Sequence, residues 1–190
     1  MPKQRITKEM VVDAAFSLAR EGGIERVLVK PIAQRLGCSV QPIYSTCKDI
    51  EGVRREVAAR ADRFIREYVA ARVEPGRLFF SMGQAYLSLA REEPGLFALF
   101  LTRERAGISS LEDLYRREAS PAVAKSIAAE LGLSLKQARE LHLQMLIYTM
   151  GIAAVLSTCR PGIPAEEILQ RQEAAYQAFL AQIKNEEGTK

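Results

Sequence analysis

The sequence contains one histidine, His142, and three cysteines, Cys38, Cys47 and Cys159, with no C-x-x-C pair among them. A metal centre built from His and Cys needs several such ligands in clustered spacing, so no metal and no cofactor is expected. The parts of a nucleophilic triad are missing as well, and no pair of carboxylates is spaced for acid–base work, so an enzyme is not expected. An odd number of cysteines argues against a disulfide framework. Together with a basic start that lacks an apolar run, Met1-Pro2-Lys3-Gln4-Arg5, it points to a reduced, cytoplasmic compartment. Long hydrophobic runs are scarce too. The most apolar stretch, Leu143 to Leu156, is shorter than the ~20 residues that span a bilayer, and reads as a buried core helix. No membrane is therefore expected as a partner. Strand-like alternation, internal repeats and low-complexity tracts are all missing from the pattern.

What is present is a chain of 190 residues, 48% hydrophobic, large enough to bury a core. Its net charge of +4 is unevenly spread. Residues 1–56 hold ten Lys or Arg against seven acids, whereas the remainder holds seventeen against sixteen and is nearly neutral. A polyanionic partner is thus expected to meet the N-terminal part.

The periodicity is helical almost throughout, so an all-α fold is expected. Val11, Ala14, Ala15 and Leu18 share one face of a helix capped by Thr7 and stopped by Gly22-Gly23. A short helix follows from Val29 to Leu36, with Pro31 in its first turn, where a missing N–H matters little. Gly37 then supplies a tight turn, and Ser39 is predicted to cap a third helix with Pro42 at its third position. Two short helices joined by a glycine turn make a helix-turn-helix. Asp49 is expected to cap a long helix reaching about Val73. Ser134 and Gln137 form a capping box for a helix that is apolar on nearly every side. The last helix, from Pro164, places Ile168, Ala175, Tyr176, Phe179 and Ile183 on one stripe. The expected organisation is a helix-turn-helix three-helix domain over residues 1–52 and a helical domain over 53–190, the helix from Asp49 joining them.

The run Val12-Asp13-Ala14-Ala15, Val29-Lys30-Pro31-Ile32-Ala33, Leu36-Gly37-Cys38-Ser39-Val40-Gln41-Pro42-Ile43-Tyr44 and Asp49-Ile50-Glu51-Gly52-Val53 resembles the N-terminal domain of the TetR (TetR/AcrR) family of bacterial transcriptional regulators. The resemblance covers residues 7–56. It implies that residues 53–190 form a variable ligand-binding and dimerisation domain. The chain departs from the family pattern at Leu28, where Thr or Ser commonly touches a phosphate, at Thr46-Cys47, and at Ile50 in place of a common lysine. Lys48 supplies a nearby positive charge.

Short polar side chains at the start of a recognition helix enter the major groove while surrounding cations hold phosphates. Ser39, Val40, Gln41, Pro42 and Tyr44 are the candidates for DNA contact on this helix, Gln41 being suited to a bidentate contact with adenine and Tyr44 to donating to a phosphate or packing on sugar. Arg5, Lys30 and Lys48 are the candidates for phosphate. Phe97, Phe100, Leu101, Tyr115, Met145, Tyr148 and Met150 are candidates for lining an apolar effector cavity, although any one of them also fits plain core packing. Cys47 lies beside the turn, where oxidation would disturb DNA binding, although most lone cysteines are inert.

The function implied is a homodimer, joined through the last two helices, that binds a near-palindromic operator in double-stranded DNA as a repressor and is released by a small apolar or amphipathic effector. Two other readings stay open: a helical protein–protein interaction module that does not bind DNA, and a repressor that needs no ligand.

Overall fold

A computed structural model describes residues 6–74, 76–159 and 161–185. The fold is all-helical, with ten α-helices among the described residues: α1 (Lys8–Gly22), α2 (Val29–Arg35), α3 (Gln41–Thr46), α4 (Ile50–Ala70), α5 (Leu78–Glu92), α6 (Pro94–Thr102), α7 (Leu111–Glu118), α8 (Pro121–Leu131), α9 (Leu135–Cys159) and α10 (Ala165–Asn185). They form two compact units. One draws on Met1–Glu67 and Glu92–Arg103, the other on Tyr68–Arg91 and Glu104–Lys190.

The first unit is built on α1. Thr7 caps it by accepting the Met10 N–H at 3.3 Å, and Gly23, at φ 82°, ends it in a conformation that glycine adopts without strain. Val11, Ala14, Ala15, Phe16, Leu18 and Ala19 are buried along one face. With Ile32, Ala33, Ile43, Val53, Val57, Ala61 and Leu96 they make a single apolar cluster. Fixing α2 against α1 is a bidentate pair, in which Arg35 Nη1 and Nη2 donate to the two Glu21 carboxylate oxygens at 2.7 Å. Leu96 comes from α6, which packs on α1 and so joins this unit from well down the chain. Glu93, the residue before α6, gives its side chain no capping role, because Arg20 at the end of α1 holds the carboxylate.

In the second unit α8, α9 and α10 bury Ile127, Ala138, Leu141, Met145 and Ile183 together, with Phe79 of α5 and Tyr176 and Phe179 of α10 against them. The predicted capping box opens α9: Ser134 N–H donates to Gln137 Oε1 at 2.9 Å and Gln137 N–H to Ser134 Oγ at 3.3 Å. The helix is 25 residues long, so the Leu143 to Leu156 stretch is only its middle. By length and composition α9 suffices to cross a membrane. It is also not buried all round, as the apolar sequence suggested. Leu141, Met145, Thr149, Ala153 and Leu156 face inward, while Ile147 and Val155 are about half exposed, with exposed Gly151 between them.

Candidate functional site

The helix-turn-helix corner is set by backbone chemistry. Gly37 takes φ 64°. That left-handed residue lets its own N–H reach the Gln34 carbonyl at 3.2 Å and the Cys38 N–H reach the Ala33 carbonyl at 3.0 Å, so the last carbonyls of α2 are satisfied in a Schellman turn. A residue with a Cβ would be strained at Gly37 although there is open space around it.

Ser39 does not cap α3. The helix starts one residue later than the sequence suggested, with Val40 in the capping position, no side-chain cap, and Pro42 in the second helical position rather than the third. Proline already fixes the helical φ and has no N–H to satisfy, so the start forms without a hydroxyl acceptor. Ser39 is left exposed. The side chains of Gln41 and Tyr44 are exposed too, Tyr44 by 60%, and Val40 by 37%, while Pro42 is half-buried. Ile43, between them, is buried at 2% exposure and anchors the short helix to the core. α3 therefore presents one polar face outward on a fixed base.

The charges around it are sorted by pairing. Lys8 is held by Glu56, Arg20 by Glu93, Arg35 by Glu21, Arg54 by Glu51 and Arg60 by Asp13. Lys30, in the first turn of α2, and Lys48, just after α3, are exposed and have no carboxylate partner among the described residues. Leu28, before α2, is 47% exposed and offers no polar atom from its side chain. Arg5 lies outside the described residues. Cys47 is buried in the core of the unit, and burial pushes its thiol pKa up, which disfavours the thiolate that oxidation requires.

A second feature lies wholly in the other unit. A cavity of about 40 Å³ opens between α5, α9 and α10. Phe79, Phe80, Met82, Gly83 and Tyr86 line it from α5, and His142, Met145, Leu146, Thr149 and Met150 from α9. Gln172 and Tyr176 close it from α10. Of the seven residues expected to line an effector site, Met145 and Met150 are here. Tyr148 points elsewhere, its hydroxyl donating to the Arg171 carbonyl at 3.2 Å. Tyr115 meets the rear of the site, its hydroxyl 3.1 Å from His142 Nδ1. Phe97, Phe100 and Leu101 sit on α6, in the first unit, where Phe97 is fully buried. The structure thus does not bring the seven together. The sequence does not single out the α5 aromatic residues, because α5 reads as one more amphipathic helix. Gln172 carried a usable signal, being a lone polar side chain in the apolar stripe between Ile168 and Tyr176.

His142 is 4% exposed, stacks edge-on against Phe79 and Tyr115, and faces no carboxylate in these contacts. Burial lowers its pKa to about 4. A histidine depressed in the folded state adds stability above its unfolded pKa of about 6.5, and that contribution is lost as the pH falls through the folded value. Between pH 6.5 and pH 4.5 the wild type is expected to lose about 1.4 kcal/mol per pH unit more than His142→Gln. Urea unfolding of both proteins across that range checks it, and parallel curves would show that His142 does not titrate with folding.

An all-helical chain whose first unit carries a glycine-cornered helix-turn-helix with a polar, outward-facing second helix belongs to the helix-turn-helix class of architectures. No protein-family profile matches it. The chain is similar to YobS of Bacillus subtilis (strain 168), described as an uncharacterized HTH-type transcriptional regulator, with 24% identity over 105 residues, 54% of this chain and 55% of that protein. The chain thus aligns with about half the length of that curated relative.

Proposed function

We propose that this protein is a TetR-type transcriptional regulator that binds duplex operator DNA through α3 and acts as a ligand-released repressor. The observation that carries the reading is the α3 geometry: Ile43 is sunk in the core while Ser39, Val40, Gln41 and Tyr44 stand outward, with Lys30 of α2 and Lys48 after α3 exposed and without a carboxylate partner among the described residues. That arrangement suits a polar helix edge for base contacts with cations beside it for phosphates. The similarity to an HTH-type regulator supports the same reading. DNA binding is assigned to residues 1–52, and effector binding and dimerisation to 53–190.

Two copies pair through α9 and α10. Ile147, Gly151 and Val155 on α9, with Ala174, Ala178 and Ala181 on α10, leave apolar or small surface uncovered in one chain, and a four-helix bundle with a second copy covers it. Such a dimer offers two α3 helices to a near-palindromic site. An effector held in the cavity lowers operator affinity to the extent that it prefers a different dimer shape. A coupling of about 1–3 kcal/mol changes operator affinity by about 5- to 150-fold.

The test is mobility of DNA taken from beside the protein's own gene, with and without substrates of the neighbouring gene products. Unaltered mobility at low salt removes DNA binding. Within that assay Lys48→Ala is expected to weaken all duplexes alike and to flatten the salt slope by about one unit, whereas Gln41→Ala is expected to relax discrimination at one base pair. A salt slope unchanged in the Lys48 variant takes Lys48 out of the interface.

A further inference from the structure

Gln172 is the anomaly of the second unit. It is 1% exposed, and its Oε1 is buried without a hydrogen-bond partner. Its Nε2 makes one long contact, 3.4 Å, to Thr149 Oγ1. A buried amide left half satisfied is unfavourable, and leucine would fill the same stripe of α10 without that penalty. The amide also has space kept for it. A Cβ on Gly83, in the middle of α5, would fall 2.5 Å from Gln172 Nε2, and glycine inside a helix is itself unfavourable.

Gln172 lines a cavity, and the residues that line it with Gln172 define what that cavity can accept. Phe79, Phe80, Tyr86 and Tyr176 give the cavity an aromatic wall, and among the described residues no lysine, arginine, aspartate or glutamate lines it. A charged guest would find no counter-ion there, and burying an unpaired charge is strongly unfavourable. His142, held neutral by burial, adds none. Room for about 40 Å³ is little more than on the order of three waters, so a guest is small or displaces side chains. Met82, Met145 and Met150 are the lining residues best able to give way, since unbranched thioethers repack at little cost.

We propose that this cavity is a receptor for a small, uncharged aromatic molecule carrying one hydrogen-bond donor, which the unpartnered Gln172 Oε1 accepts. The proposal rests on the effector reading above and gives that effector a chemical class.

Phenol and toluene make the test, because they share a ring and a size while only phenol can donate. Calorimetric titration of the full-length protein is expected to show phenol bound at least ~10-fold tighter than toluene, about 1.4 kcal/mol. Gln172→Leu is expected to abolish that preference while leaving the unfolding midpoint at or above that of the wild type. Gly83→Ala, which crowds the amide without changing it, is expected to weaken phenol and to spare toluene. Equal affinities in the wild type overturn the proposal. So does the absence of binding by both compounds, or a preference for benzonitrile, which accepts but cannot donate, over phenol. Operator mobility measured in the same samples separates the two readings. Phenol bound through Gln172 with unaltered operator affinity upholds the cavity assignment and removes this class as the effector. Release of operator by other compounds, with phenol unbound, overturns the cavity assignment alone.

Discussion

Gly95→Ala is expected to destabilise the first unit by about 3 kcal/mol, the upper part of the range for overpacking, and to lower the unfolding midpoint by about 6–12 °C for a chain of this size. The reason is a close approach. Gly95 lies in the first turn of α6, and a Cβ there would collide with the Ala19 carbonyl oxygen and stand 2.7 Å from that of Arg20. Both obstacles are backbone at the end of α1, so no side chain can rotate away. Its φ lies outside the left-handed region, and space alone demands glycine. Relief requires α6 to lift from α1, which exposes Leu96, now fully buried, and loosens the Glu93 carboxylate from Arg20. Thermal unfolding followed by circular dichroism measures the shift. A midpoint within 2 °C or so of the wild type would mean that the α1–α6 contact contributes little.

Ile43→Ala is expected to reduce operator affinity by about 30- to 1000-fold, the equivalent of roughly 2–4 kcal/mol, with a smaller effect on the unfolding midpoint than Gly95→Ala. α3 has six residues and no side-chain cap, far below the length at which a helix persists alone. Its order comes from Ile43, which joins the cluster of Ile32, Ala33 and Val53. Truncating that side chain leaves the outward residues chemically intact yet no longer held at one angle, so the competent conformation becomes a minor population. Hydrogen exchange at the amides of residues 43–47, compared between the two proteins, identifies the cause: affinity lost without faster exchange would assign Ile43 a role other than anchoring.

The all-helical class, the α1 and α9 caps and the helix-turn-helix corner were legible in the sequence because each depends on residues within a few positions of one another. Thr7 with Met10, Gly37 with Gln34, and Ser134 with Gln137 are local hydrogen-bonding problems with local solutions. α3 starts one residue later than the sequence suggests for a related reason. A serine and a proline both offered ways to begin a helix, and the proline ring prevailed without the hydroxyl.

Tertiary structure alone decided which distant segments meet. Nothing in Pro94–Thr102 announces that α6 packs on α1 and carries Phe97, Phe100 and Leu101 into the first unit. Nothing local announces that Gly83 stands against Gln172 either, nearly ninety residues further along. Periodicity tells which face of a helix is apolar, but apolar burial is non-directional and leaves the partner undetermined. The partner is chosen by shape: a missing Cβ at Gly95 and at Gly83, and a buried amide with a single hydrogen-bond partner. Those fits exist only once the whole chain has folded.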